Sequence, residues 1–191
     1  MPIRDADATR ARILAAATAE FAEHGLAGGR VDRIAAAAQT NKAQLYHYFG
    51  GKEALFDLVF DRYVQENLVN GWFDPERLPE YAAGAYDYYL RDPVLVRLAT
   101  WARLERTPTG DLFAPAGGVD VQVVARIEMA QARGVLVDHV APLEIFCLVI
   151  GMASAWAQSS LTITATADEP EAVHAARRTA LAHAVRASFC R

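Results

Sequence analysis

Apolar residues recur along this chain with the period of a helix, not that of a strand. Ile13, Ala16, Ala17 and Phe21 fall at i, i+3, i+4 and i+8, one face of a helix predicted over about residues 9–24. Gly25 follows and can take the left-handed conformation that stops a helix, with Leu26 next in line for the apolar contact that accompanies such a stop. Gly28 and Gly29 make a turn. Val31, Ile34, Ala35 and Ala38 mark a second, short helix, which Gln39 and Thr40 interrupt. Asn41 is a good N-cap for a third helix from Lys42 to Phe49, closed by Gly50 and Gly51. Lys52 and Glu53 open a fourth, reaching about Val69. Four helices in under 70 residues, two of them short and joined by a three-residue turn, describe a helix-turn-helix unit.

The remaining two-thirds reads as a separate helical body. Helices are predicted over about residues 75–90, 93–106, 119–133, 141–159 and 169–189. Pro75, Pro93 and Pro142 sit at or beside predicted starts, and Gly134 marks a stop. Residues 107–118, with two prolines and three glycines, read as a loop. The fold class expected is all-α, about nine helices. An N-terminal helix-turn-helix DNA-binding domain would occupy residues 1–52, and a C-terminal helical ligand-binding and dimerisation domain residues 53–191. The stretch 141–159 is apolar on most sides, with Gly151, Ala153 and Ala155 allowing close approach, so it must be covered on nearly every face. A partner subunit or a central place in a monomer would each supply that cover.

Composition narrows the class. With 53% hydrophobic residues and a net charge of only −4, the chain has the makings of a packed core and does not read as disordered. Cys147 and Cys190 form no disulfide framework and read as thiols in a reducing compartment, and the segment MPIRDADATR lacks an apolar export signal, so a cytoplasmic location is expected. Residues 145–167 carry no charge, but only 145–157 are apolar enough, short of the roughly 18–20 residues a membrane span needs. There is no phosphate-binding glycine loop, GxSxG, HExxH or CxxC, and the five histidines show no metal-ligand spacing. The expectation is therefore no enzyme, no cofactor and no metal.

Charge is uneven. Residues 30–52 hold Arg30, Arg33, Lys42 and Lys52 against Asp32 alone, while the rest of the chain is acidic. That distribution suits a protein touching a polyanion with one end. At 100° per residue, Leu45 and Phe49 of the third helix share the side facing Phe21 and Ile34, and Ala43, Gln44 and His47 face away. Gln can bond adenine in two places and a small methyl can meet thymine, which fits a major groove. Tyr46 and Tyr48 lie on the flanks, where hydroxyls could reach phosphates; ordinary packing is the other reading of these aromatics.

The run TRARILAAATAEFAEHG, followed by VDRIAAAAQTNKAQLYHYFGGKEALFDLVF, resembles the DNA-binding end of TetR-family transcriptional regulators over about residues 9–60. LYHYF, followed two residues later by Lys52–Glu53, is the most specific part. The resemblance implies that Lys42, Ala43, Gln44 and His47 contact bases, and that Thr40, Tyr46, Tyr48 and Lys52 contact the DNA backbone. It further implies a homodimer through the last two helices, a palindromic double-stranded DNA operator, and release of that operator by a small-molecule, hydrophobic effector, with no membrane partner. Three departures stand out. Gln39 replaces the usual turn glycine, at roughly 1 kcal/mol of strain if the left-handed conformation is kept. Arg30 replaces a Ser or Thr cap and is expected at a phosphate instead, and Gly50–Gly51 replaces a polar pair. These departures keep a second reading alive, a helical small-molecule-binding protein whose N-terminal unit no longer reads DNA.

Eleven of the 18 aromatic residues, all three tryptophans among them, lie beyond residue 70. Tyr86, Tyr89, Trp101, Phe113, Phe146 and Trp156 are the set where a ligand is expected, with ordinary core packing as the alternative for each.

Overall fold

Helices form where the apolar residues keep the 3.6 period, and their ends follow local chemistry. The computed structural model describes residues 3–68, 73–106, 110, 112 and 121–191. Among them are nine α-helices: α1 (Ile3–Gly28), α2 (Val31–Ala37), α3 (Lys42–Phe49), α4 (Lys52–Leu68), α5 (Leu78–Arg91), α6 (Val94–Arg106), α7 (Val121–Ala132), α8 (Pro142–Ala153) and α9 (Glu171–Phe189). A 3-10 turn at Pro75–Arg77 precedes α5, and the β structure among these residues is one isolated antiparallel bridge between Leu136 and Cys190. No helix of the described residues is long and apolar enough to cross a membrane.

Contacts divide the chain into two units, Met1–Asn67 with Arg97–Ala116, and Leu68–Val96 with Gly117–Arg191. In the first unit Ile13, Ala17, Phe21, Ile34, Leu45 and Phe56 are buried, and the rings of Phe21 and Phe56 meet edge to face at 5.3 Å. In the second, Leu78, Ile127, Leu136, Ile145, Val149 and Val185 belong to one core, with α5 packed along α9.

Helix α1 departs from the expected stop. Gly25 takes a positive φ (71°, ψ −173°), but the chain bends there and one more turn runs to Gly28. The bend parts the N–H groups of Leu26 and Ala27 from the carbonyls of Ala22 and Glu23, the pairs an unbroken helix would join. One face of α6 replaces both bonds. Arg97 Nε and Trp101 Nε1 donate to Ala22 O at 2.6 and 3.3 Å, and Arg97 Nη2 donates to Glu23 O at 3.4 Å. The Glu105 carboxylate accepts from Leu26 N at 2.6 Å and Ala27 N at 3.1 Å. Residues 97, 101 and 105 are spaced i, i+4, i+8, which aligns them on a single stripe.

The turn between α2 and α3 is a Schellman motif. Thr40 N donates to Ala35 O at 2.9 Å and Gln39 N to Ala36 O at 3.1 Å, with Gln39 at φ 53°. The left-handed conformation expected to cost a side chain is thus kept. The same motif closes α7, where Gly134 (φ 73°) occupies the position without a Cβ. Arg30 makes no side-chain cap for α2. Instead Glu20, on α1, accepts from Arg30 N at 2.8 Å and from the Arg33 guanidinium. Asn41 caps α3 as expected, accepting from Gln44 N at 2.9 Å. Helix α8 ends at Ala153, six residues before its predicted end, because the chain turns there and Ser154 Oγ donates back to Gly151 O.

Two stability changes follow. Gly25→Ala should lower the urea unfolding free energy by about 2–4 kcal/mol, through a positive-φ side chain and overpacking. Its Cβ would lie 2.5 Å from Glu105 Oε1 and 2.8 Å from the Trp101 ring. Gln39→Gly, in contrast, should raise the urea unfolding free energy by up to about 1 kcal/mol, because the exposed turn no longer holds a Cβ at positive φ.

Candidate nucleic-acid interface and small-molecule cavity

Helix α3 buries Leu45 and Phe49 and leaves Ala43 and His47 exposed, with Gln44 half-buried. Tyr46 is 47% exposed and Tyr48 half-buried, so neither belongs to the core. His47 meets Tyr48 edge to face at 5.6 Å, and Arg10 lies over the Phe49 ring at 5.7 Å. The two tyrosine hydroxyls have no hydrogen-bond partner among the described residues and are available to a ligand.

The cations are more committed than their sequence suggests. Arg33 lies against Glu20, which takes two guanidinium nitrogens at 2.5–3.1 Å. Burial alone would raise the Glu20 carboxyl, but hydrogen bonds from Arg33 and Arg30 N hold it below the usual carboxylate range. Lys42 pairs with Asp32 at 2.8 Å, and that hydrogen bond raises its pKa. Lys52 Nζ donates to Gly29 O at 3.2 Å and Ala27 O at 3.4 Å, at the bent end of α1. Of Arg30, Arg33, Lys42 and Lys52, Arg30 is the one whose guanidinium has no partner among the described residues. Thr40 Oγ1 donates to Gln44 Oε1, which turns the Gln44 Nε2 hydrogens away from the turn. Sequence reasoning placed Thr40 and Lys52 at phosphates; in the free protein both already have internal partners. It did not find Asp32 or Glu20, whose roles depend on which cation lies opposite.

In the second unit a cavity of about 240 Å³ opens between α5, the end of α8 and the segment 156–167. Tyr86, Tyr89 and Trp156, three of the residues expected at a ligand, line it together. Tyr86 meets Trp156 edge to face at 5.8 Å. Its hydroxyl lies 2.7 Å from His174 Nδ1 and 3.4 Å from Arg177 Nη1, and Arg177 also donates to both Glu169 oxygens at 2.6 and 2.8 Å. His174 is buried, and its Nε2 has no partner.

The other expected ligand residues lie elsewhere. Trp101 belongs to the first unit, where its indole serves the bend of α1. Phe146 is a core residue, its ring edge-on to Phe73 at 5.7 Å, and it does not line the cavity. Phe113 lies outside the described residues. A second, more open hollow of about 350 Å³ lies in the first unit between α1 and α4, beside Leu14, Thr18 and Val59. Among the described residues no group of three or more His, Cys, Asp or Glu could hold a metal ion.

Comparison with known proteins gives one answer at both ends of the chain. Residues 13–59 match the family described as bacterial regulatory proteins, tetR family, and residues 77–187 match the tetracyclin repressor-like C-terminal domain. The chain is 37% identical to the HTH-type transcriptional repressor SCO4008 of Streptomyces coelicolor over 159 residues, 82% of each protein. It is 31% identical to the HTH-type transcriptional repressor NicS of Pseudomonas putida, over 78% of this chain and 76% of that one. The crystal structure of SCO4942 from Streptomyces coelicolor superposes with a TM-score of 0.74 at 36% identity, covering 95% of this chain and 98% of that one. Salmonella enterica GusR shares the fold, at 22% identity and a TM-score of 0.70 over 94% of each chain. None of these relatives supports the reading of a helical protein that has lost DNA.

The Glu169–Arg177 pair behind the cavity has a pH signature. Hydrogen bonds from Arg177 and from Thr166 N hold the Glu169 carboxyl at about 2, well under its ordinary 4.5. A depressed carboxyl stabilises the fold above its unfolded pKa, and that contribution fades as pH falls from about 4.5 toward about 2. Glu169→Gln should therefore melt below the parent protein at pH 7, and the gap between the two melting curves should narrow on titration toward pH 3.

Proposed function

The chain belongs to the TetR family of bacterial regulatory proteins, and from that premise we infer how it works as a ligand-responsive, DNA-binding transcriptional repressor. Its reading surface is the outward face of α3. Lys42, Ala43, Gln44 and His47 are presented to base edges in the major groove, and Arg30, Thr40, Tyr46, Tyr48 and Lys52 to the phosphates on either wall. The observation that carries this reading is the exposure of that face together with unpartnered hydroxyls on Tyr46 and Tyr48 and an unpartnered Arg30 guanidinium. On binding, Lys42 exchanges Asp32 for the duplex, which holds its charge in reserve until a stronger anion arrives.

The assembly is a homodimer through α8 and α9, acting in the cytoplasm. Leu143, Cys147, Leu148 and Gly151 of α8 are exposed in the single chain, an apolar face on a helix whose other face is core. Two-fold symmetry then sets two copies of α3 about 34–36 Å apart, one turn of DNA, on a palindromic operator. Residues 1–52 carry the reading function and residues 53–191 the effector and dimerisation functions. A small, hydrophobic effector in the cavity beside Tyr86, Tyr89 and Trp156 favours a conformation with a different spacing of the heads. A coupling of about 1–3 kcal/mol changes operator affinity by about 5- to 150-fold. No catalytic step enters this cycle.

A mobility-shift titration on DNA from upstream of the protein's own gene tests the reading surface. Gln44→Ala should weaken binding by about 5- to 150-fold, the loss of about 1–3 kcal/mol of base contact. Tyr48→Phe should weaken it by about 2- to 12-fold, one hydrogen bond's worth. Unchanged affinity in both variants would remove this face of α3 from the reading role.

A further inference from the structure

The cavity of the second unit holds enough chemistry to name the class of its occupant. Its aromatic wall is Tyr86, Tyr89 and Trp156, and its small side chains, Ala153, Ala157 and Ala165, leave the space that the aromatics do not fill. Among the described residues no Asp, Glu, Lys, Arg or His lines it. Arg177, which reaches the Tyr86 hydroxyl, is already matched by Glu169, and Arg178 by Asp87 and Glu171, while Arg91 and Asp92, between Leu90 and Pro93 in the chain, are not part of the lining. An ionised ligand laid against the Tyr86–Trp156 wall would lose part of its hydration and find no counter-charge in the lining, a loss that disfavours charged groups.

The polar groups of the wall differ in what they have left to offer. Tyr86 is committed, since His174 and Arg177 hold its hydroxyl. Tyr89, one helical turn further along α5, has no hydrogen-bond partner among the described residues, and burial pushes its pKa up to about 12. It therefore stays a neutral phenol at every physiological pH and can donate one hydrogen bond. The side chains of Gln158 and Thr164, on the opposite side, also have no partner among the described residues. At about 240 Å³ the cavity lies below the roughly 300–1,000 Å³ typical of drug-sized ligands.

We propose that this cavity binds an uncharged, planar compound of one or two aromatic rings carrying an oxygen acceptor, with the rings against Tyr86 and Trp156 and the oxygen accepting from the Tyr89 hydroxyl. The proposal rests on the effector reading given above, which it deepens by stating what the effector is made of. Selectivity comes from the lack of any counter-charge in the lining, and orientation from the Tyr89 hydroxyl on the aromatic wall, with the exposed Gln158 and Thr164 side chains as further polar groups.

A matched series on one ring system tests it: 2-naphthol, 2-naphthoate and 2-naphthylmethylammonium, titrated calorimetrically into the full-length protein without DNA at pH 7. The neutral compound should bind at least 10-fold more tightly than either ion. Tyr89→Phe should weaken 2-naphthol by about 2- to 12-fold, the loss of one hydrogen bond. Ala157→Trp, checked for an unchanged helical spectrum and melting curve, should abolish binding by filling the space; if it fails to fold, Ala165→Trp serves the same purpose. Tighter binding of either ion, no binding of 2-naphthol at millimolar concentration, or a wild-type affinity in Tyr89→Phe and the filled variant together would overturn the proposal. The operator shift assay, run separately, keeps the two readings apart. If 2-naphthol binds as expected but leaves the protein on DNA, the cavity stands and its effector role falls.

Discussion

The reading head depends on the way one bend is closed. At Gly25 helix α1 gives up two backbone hydrogen bonds, and the stripe Arg97–Trp101–Glu105 on α6 supplies both halves of each. The donors freed by the bend meet a carboxylate and the acceptors meet a guanidinium and an indole, so each interaction but one is charge-assisted. The bend matters because everything after it is set by its direction. Residues 28–30 turn into α2, α2 carries Asp32 and the start of the Schellman turn, and that turn aims α3. Lys52 binds the same segment through the carbonyls of Ala27 and Gly29. A helix as short as α3, eight residues, has little stability of its own. It is held by what surrounds it, and the tie points lie far away in the chain.

That separation explains what the sequence could and could not convey. Local chemistry was legible: the bounds of α3, the Asn41 cap, the Gly134 stop, the inward turn of Leu45 and Phe49, and the strained position of Gln39 all follow from residues within a few positions of one another. The family resemblance likewise rested on a contiguous run. Long-range pairing was not legible. Trp101 was read as a ligand residue because it is aromatic, whereas its place is set by a carbonyl 79 positions earlier that becomes available only because α1 bends. Phe146 was read the same way, and it joins the core beside Phe73, whose ring also meets Tyr81. The three expected ligand residues that do come together, Tyr86, Tyr89 and Trp156, include two at i, i+3 on one helix, where periodicity does carry information.

Charge shows the same limit. A count of cations in residues 30–52 pointed to a polyanion, yet Arg33, Lys42 and Lys52 each already face a carboxylate or carbonyl in the free protein. Composition registers how many charges there are; only the fold shows which are spent internally. The consequence for this head is that little of its positive charge is uncommitted in the free protein, Arg30 being the one of these four cations whose side chain has no partner among the described residues.

The stripe on α6 has a consequence for anyone who would move this head to another protein. A graft cut at residue 52 would carry the whole helix-turn-helix sequence but leave behind Arg97, Trp101 and Glu105. The transplanted module would then expose two amides and two carbonyls where it formerly had partners, and its last α1 turn would be free to straighten or fray. Modularity in this chain is not collinear with its sequence: the transferable piece is a short N-terminal stretch together with one distant helical rung.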